Sequence, residues 1–235
     1  MGSLVTGASR GLGRALARSL ARRGDRVALV ARDGAALERV VREIREEGGE
    51  AFAIARDIGE KDDIHAIAAL ASEALGSVDL VIHNASTLGP SPLRLLGDTD
   101  CEDLERALAV NVVGPFRLTK SLLGARVLRA SGTFVHISSD AAVAAYPEWG
   151  AYGASKAAFD HLARTWAAEL EGTGVRFVTL DPGEMDTAMH REALPLADPS
   201  LLARPEDVAQ AIVSILSHPE LASGSRIEVS SWRPS

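Results

Sequence analysis

The chain has 235 residues, of which 46% are hydrophobic and 24% charged, and a formal net charge of −7 at pH 7. That length suits one large domain or two small ones, and a chain of this size buries roughly 70–75% of its unfolded surface without disulfides or metal staples. The negative balance argues against nucleic acid or an anionic membrane as main partner, no apolar run spans a bilayer, and no signal-peptide pattern is present. The single cysteine, Cys101, has no internal disulfide partner and fits a reducing cytoplasm.

Short apolar runs alternate with longer helical patterns along the chain. Strands are expected at 3–6, 26–31, 51–55, 80–83, 132–138, 176–180 and 226–229, and helices at 12–23, 35–47, 61–75, 101–129, 151–170 and 205–217. Continuously apolar strands that alternate with helices predict an α/β fold in a single domain spanning 1–235. Its parallel sheet is doubly wound, with about seven strands and helices on both faces. No repeat, low-complexity tract or linker divides the chain. The longest irregular stretch runs from about residue 183 to 204, and 184–204 is expected to act as a lid over a bound substrate.

The run Thr6-Gly7-Ala8-Ser9-Arg10-Gly11-Leu12-Gly13 follows the first strand and opens the first helix. Glycines there let the backbone turn tightly and approach a pyrophosphate, whose charge meets the helix N-terminus. Ser9 and Arg10 supply polar groups where phosphate oxygens belong. The end of the second strand selects the cofactor, because an acid there would bond the ribose hydroxyls of NAD. This chain has Ala31 then Arg32, with Arg10 approaching from the first loop. Two guanidiniums near one ribose repel each other unless a 2′-phosphate lies between them, which favours NADP(H). Asp33 reads as a helix cap. Asp57, after the third strand, is placed either to accept from an adenine amino group or to cap the next helix.

Tyr152 and Lys156 stand four residues apart, about one helical turn, so their side chains share a face. An ammonium beside a phenol favours the phenolate, and the Tyr152 pKa is expected to fall below its usual value of about 10. That would make Tyr152 a proton donor or acceptor near neutral pH. Ser139 lies thirteen residues before Tyr152 at the end of an apolar strand, and this spacing favours it over Ser138. Tyr146 has no base four residues on and is expected to line the pocket. The histidines lack metal-ligand spacing, so no metal is expected. His136 reads as a satisfied core residue, and for His190, in the lid, substrate contact is the less favoured of two readings. Cys101 reads as inert. Leu88, Leu93, Ala141, Val143, Tyr146, Trp149, Met185 and Met189 are candidate pocket walls, which suggests a mostly apolar pocket with aromatic character and a hydrophobic ligand. Phe159, Leu162 and Trp166 read first as core, then as a subunit contact.

Taken in order, Thr6–Gly13, Asp57, His83-Asn84-Ala85-Ser86, Asn111, Ser139, Tyr152 with Lys156, and Pro182-Gly183 with Thr187 resemble the classical short-chain dehydrogenase/reductase family, a single-domain Rossmann-type fold. The resemblance implies that Tyr152 is the general acid in carbonyl reduction and the base in reverse. Lys156 would lower its pKa and hold the nicotinamide ribose. Ser139 would orient the carbonyl, and Asn111 would bend its helix and support a proton relay to Lys156. Cofactor contacts carry over to Gly7, Ser9, Arg10, Gly11, Leu12, Gly13, Ala31, Arg32, Asp57, Ile58, Asn84, Ala85, Pro182, Gly183 and Thr187, with Thr187 at the carboxamide. The chain departs from the pattern at His83 and Ser86, where the family usually has asparagine and glycine. It also lacks a C-terminal glycine pair. An NADP(H)-dependent carbonyl reductase or alcohol dehydrogenase is therefore expected, acting on a small carbonyl or alcohol substrate as a homodimer or homotetramer built on 101–129 and 151–170. The rivals are an epimerase or dehydratase using the same pair, and a catalytically silent NADP(H)-binding regulator.

Overall fold

The computed structural model describes residues 1–129 and 132–233, with the backbone alone described for 124–129; Pro234 and Ser235 lie outside it. The strands are β1 (Gly2–Thr6), β2 (Arg26–Ala31), β3 (Glu50–Ala55), β4 (Leu80–His83), β5 (Gly132–Ile137), β6 (Val175–Asp181) and β7 (Arg226–Glu228). They form one seven-stranded sheet in the order β3-β2-β1-β4-β5-β6-β7, and every neighbouring pair is parallel. The helices are α1 (Gly11–Arg22), α2 (Gly34–Glu46), α3 (Asp63–Leu75), α4 (Cys101–Leu108), α5 (Gly114–Arg129), α6 (Gly150–Glu169), α7 (Ala188–Ala193) and α8 (Pro205–Leu216). The doubly wound parallel sheet expected from the alternation is therefore the observed fold.

Strand residues alternate between two cores because successive side chains point to opposite faces. Val5, Ile82, Val135 and Val178 meet α1, α2 and α8 through Leu16, Leu20, Val40, Ile44 and Ile212. Leu4, Val81, Phe134 and Phe177 meet α3, α5 and α6 through Ile67, Leu118, Phe159 and Trp166. Phe134 stacks on Phe177 at 4.9 Å, and Phe177 stacks on Trp166 at 5.3 Å. Phe159 and Trp166 are thus core residues, as their first reading held, leaving Leu162 packed at its edge. Among the described residues, no helix is long and apolar enough to cross a membrane.

Two expected elements are corrected. The span expected as one helix over 101–129 is helical throughout but widens into a π turn, Ala109–Val113, between α4 and α5, at the Asn111 that the resemblance expected to bend it. Asn111 sits in that turn, and its amide bonds replace the regularity that hydrophobic spacing alone would have extended. The 183–204 stretch is not simply irregular. It carries α7, capped by the Thr187 hydroxyl accepting from the His190 N–H (3.2 Å), and a 3₁₀ turn at Pro199–Leu201.

Candidate active site

The sheet order reverses between β1 and β4, and the loops leaving the C-terminal ends of β1 to β6 enclose a cleft of about 1150 Å³ there. Gly7, Ser9, Arg10, Gly11, Leu12, Gly13, Ala31, Arg32, Asp57 and Ile58 line one end. Asn84 and Ala85 line the middle, and Ser139, Tyr152, Lys156, Pro182, Gly183 and Thr187 the other end. Of the site residues expected from sequence, Asn111 alone stands outside the lining and acts from behind the wall.

The loop after β1 turns at Gly7, whose φ of +68° suits glycine, and a Cβ there would lie 2.8 Å from Ala85 Cα. At Gly13 a Cβ would lie 2.2 Å from the Gly7 oxygen, so α1 reaches the loop only because no side chain intervenes. Asn84 Nδ2 donates to the Thr6 and Gly7 oxygens (2.9 and 3.2 Å), while Thr6 Oγ1 accepts from the Asn84 and Ala85 N–H groups (both 3.1 Å). Arg10, the N-cap of α1, is extended and makes no side-chain cap. The first-turn N–H groups of α1 are thereby left to an anion, which fits a dinucleotide pyrophosphate.

Arg32 is 72% exposed and stands 4.0 Å from Asp57 Oδ2, which also takes Arg106 Nη2 at 2.9 Å. Burial raises the Asp57 pKa, but the Gly59 N–H, Arg106 and Arg32 outweigh it and hold the carboxyl below the ordinary range. Asp57 does not cap the next helix; Asp62 precedes α3, and Asp57 closes its own turn by accepting from Gly59 (2.8 Å). Asp33 caps α2 by accepting from the Ala36 N–H (2.9 Å), as expected. Arg39, Arg56 and Arg106 also line this end of the cleft. The sequence reading missed them; Arg56, between the end of β3 and Asp57, carried the signal that could have found it, whereas Arg39 and Arg106 reach the cleft from α2 and α4.

At the opposite end, α6 places Tyr152 and Lys156 on one buried face, at 8% and 2% exposure. Lys156 Nζ donates to the Ile137 oxygen (2.8 Å) and lies 5.5 Å from the centre of the Tyr152 ring, over its face rather than at its hydroxyl. The expected fall in the Tyr152 pKa is overturned here. Burial pushes the phenol up to about 12, and Asp181 and Asp140 push the same way against the opposing hydroxyls of Ser139 and Ser86. Lys156 itself is lowered to about 8 by burial, with Asp160 and Asp181 resisting. In the free protein the phenol therefore keeps its proton at neutral pH.

Ser139 Oγ donates to Asp140 Oδ1 (2.9 Å) and accepts from the Ala141 N–H (3.2 Å). Tyr146 donates to Asp140 Oδ2 (2.9 Å), so Asp140, unremarked in the sequence, organises both hydroxyls at the mouth. Ser138 also lines the cleft, but its hydroxyl is buried without a hydrogen-bond partner, whereas the Ser139 hydroxyl is the more open of the two. Asn111 Oδ1 accepts from Ser86 Oγ (3.2 Å) and the Thr87 N–H (2.9 Å), and its Nδ2 donates to the Thr87 oxygen (2.8 Å) and Ser155 Oγ (2.9 Å). Ser86, where the family usually has glycine, thus links the Tyr152 side of the wall to Asn111. His83 is buried and bonded to Thr119 Oγ1 at 2.8 Å, away from the cleft. Leu88, Ala141, Tyr146, Trp149, Met185 and Met189 line the cleft as expected, and Leu93 packs behind them. Val143 does not; it is 68% exposed. His136 is buried with its Nε2 3.3 Å from Asp160 Oδ1, too poorly aligned for a hydrogen bond, so it is a buried histidine with both ring nitrogens unpaired rather than a satisfied core residue. Both ring nitrogens of His190 lie in the cleft wall without a hydrogen-bond partner.

The profile of the short chain dehydrogenase family matches residues 3–196. A short chain dehydrogenase of Pseudocercospora fijiensis is 37% identical over 190 residues, covering 80% of this chain and 60% of its own length. An inactive 2-(S)-hydroxypropyl-CoM dehydrogenase of Xanthobacter autotrophicus is 35% identical over 216 residues, 86% of this chain and 91% of its own. A short chain dehydrogenase of Shigella flexneri, solved in complex with NADP, superimposes with a TM-score of 0.88 at 29% identity, covering 97% of this chain and 96% of that one. The chain belongs to the short-chain dehydrogenase family of oxidoreductases.

Proposed function

We propose that the protein is an NADP(H)-dependent carbonyl reductase with Tyr152 as its proton donor. The observation that carries this reading is the Tyr152 hydroxyl, bracketed by the Ser139 and Ser86 hydroxyls in a cleft whose far end is lined with arginines. The nicotinamide, when bound, supplies hydride to the carbonyl carbon. The protein's part is to orient the carbonyl and deliver a proton to its oxygen. Tyr152, held protonated by burial, is in the donor form, and an alkoxide is a stronger base than a phenolate, so transfer to the reduced oxygen runs downhill. A protonated Tyr152 is the form from which carbonyl reduction starts. Lys156, with a pKa of about 8, remains largely an ammonium at neutral pH and supplies the positive field beside the phenolate left behind.

A 2′-phosphate preference is supported by Arg10, Arg32, Arg39 and Arg56 on the cleft wall, of which Arg32 is largely exposed. At the substrate end the wall is mostly apolar, and its exposed charged groups include the acids Asp140, Glu184, Glu192 and Glu228. A neutral hydrophobic ketone or aldehyde fits that surface, and a keto acid does not.

The test is NADPH oxidation across neutral ketones, aldehydes, diketones and keto acids, with Tyr152→Phe as the control. Turnover of neutral carbonyls is expected, with a loss of about 10²–10⁴ in kcat for the variant and NADPH affinity kept within a few-fold. Near-wild-type turnover by Tyr152→Phe would remove the assignment.

A further inference from the structure

Arg226 opens β7, and no step of the proposed reaction uses it. Its Nη2 donates to the Ser139 oxygen and to Asp181 Oδ2, both at 2.9 Å, and its Nε donates to Asp160 Oδ2 at 3.3 Å. The three partners come from three segments that build the reactive end of the cleft. Ser139 follows β5, Asp160 lies on α6 one turn beyond Lys156, and Asp181 ends β6 just before Pro182-Gly183. The Asp160 and Asp181 side chains are only 4% and 8% exposed, and that of Arg226 18%. Carboxylates this deep are costly to desolvate unless each has a cation close by. Asp181 Oδ1 also accepts from the Gly183 N–H at 3.1 Å, which extends the cluster into the start of the 183–204 stretch.

We infer that Arg226, Asp160 and Asp181 form a buried charge cluster that fixes Ser139 in place and holds Lys156 in its ammonium form. The inference rests on the reading of Lys156 as part of the active site. The groups facing Lys156 are Tyr152 and Asp160 from its own helix, His136 from β5, Asp181 from β6 and, through the carboxylates, Arg226 from β7. Burial presses His136 down to about 4, so it is neutral at pH 7. Two anions and two cations then balance in the cluster. Burial favours loss of the Lys156 proton, and both carboxylates oppose that. Removing one carboxylate must ease deprotonation of Lys156; removing Arg226, which neutralises the carboxylates, must hinder it.

The chain has three lysines, Lys61, Lys120 and Lys156, so each gives a resolvable Cε signal in protein labelled with ¹³C-lysine. Lys156→Met assigns the third signal, and its pH titration is followed in the free protein, without cofactor or substrate. Asp160→Asn should lower the Lys156 midpoint by roughly one pH unit, the scale of one neighbouring charge. Arg226→Gln should raise it. Loosening or unfolding of the variant can only move the midpoint up, toward the ordinary lysine value of about 10.4, so a downward shift in Asp160→Asn cannot come from structural damage. Should Asp160→Asn fail to fold, Asp181→Asn is expected to shift the midpoint the same way. Asp160→Glu, which restores the charge, should bring it back. An unmoved or raised midpoint in the folded asparagine variant would overturn the cluster's role. The alkaline limb of the kcat/KM profile for NADPH, which reports groups of the free enzyme, should follow the NMR midpoint. If the midpoint falls and the limb stays, the charge cluster stands and Lys156 is removed from the reaction.

Discussion

Replacing His83 by asparagine should blunt the protein's response to mild acid. His83 is 3% exposed, lies 6.4 Å from Phe134 in a stacked arrangement and meets the edge of Phe159 at 5.6 Å. Burial, with a smaller push from His136, lowers its pKa from 6.5 to about 3. Once unfolded, the same imidazole takes up a proton at 6.5. Between about 6.5 and 3 the unfolded state therefore binds a proton that the folded state refuses, and stability falls as pH falls. The loss is roughly 1.4 kcal/mol per pH unit, or about 2 kcal/mol between pH 6.5 and 5. His136, lowered to about 4, contributes a loss of the same sign and similar size over that interval. Asp57 and Asp160 have depressed pKa values and stabilise the fold above the ordinary carboxylate range, so their contribution is lost only at lower pH. Asparagine does not titrate, is the residue the family usually carries here, and keeps a polar atom for Thr119. Urea unfolding of the free protein at pH 7, 6 and 5 measures the effect. The wild type should lose roughly 4 kcal/mol between pH 7 and 5, and His83→Asn about half of that. Equal pH slopes for the two proteins would refute the assignment of acid sensitivity to a buried neutral His83.

Cofactor preference should favour NADPH by about ten- to a hundredfold in kcat/KM, the scale of a charge-assisted contact to the 2′-phosphate, and equal values for NADH would refute the arginine argument. Combining Ala31→Asp with Arg32→Ala should move the preference toward NADH. Gly13→Ala places a methyl 2.2 Å from the Gly7 oxygen, so α1 must retreat by about 1 Å to reach ordinary contact. The expected cost is roughly 1–3 kcal/mol in urea unfolding, with weaker NADPH binding, and an unchanged variant would show that the loop and α1 are not held in register by that glycine. We also propose a homodimer or homotetramer through the outward faces of α4 to α6, where Val113 is 37% exposed; light scattering that finds an active monomer of 24.7 kDa would dispose of it.

The order of elements was legible in the chain because apolar strands and amphipathic helices differ in period, and one parallel sheet is the arrangement that covers such strands on both faces. Most of the site was legible for a related reason. A pyrophosphate loop needs glycines at the start of α1, and Tyr152 and Lys156 are local partners one helical turn apart. Local spacing could not reveal what happens across the sheet. It put Lys156 beside Tyr152 but not over the ring face, and so predicted a lowered phenol pKa where burial raises it to about 12. It ran one helix through Asn111, because a π turn leaves no mark in hydrophobic periodicity. It passed over Asp160, Asp181 and Arg226, which lie far apart in sequence and meet only because β5, β6 and β7 are adjacent strands. The depth at which a charge sits, and which charges surround it, follow from tertiary packing, since desolvation depends on every element that excludes water from the group rather than on its neighbours along the chain.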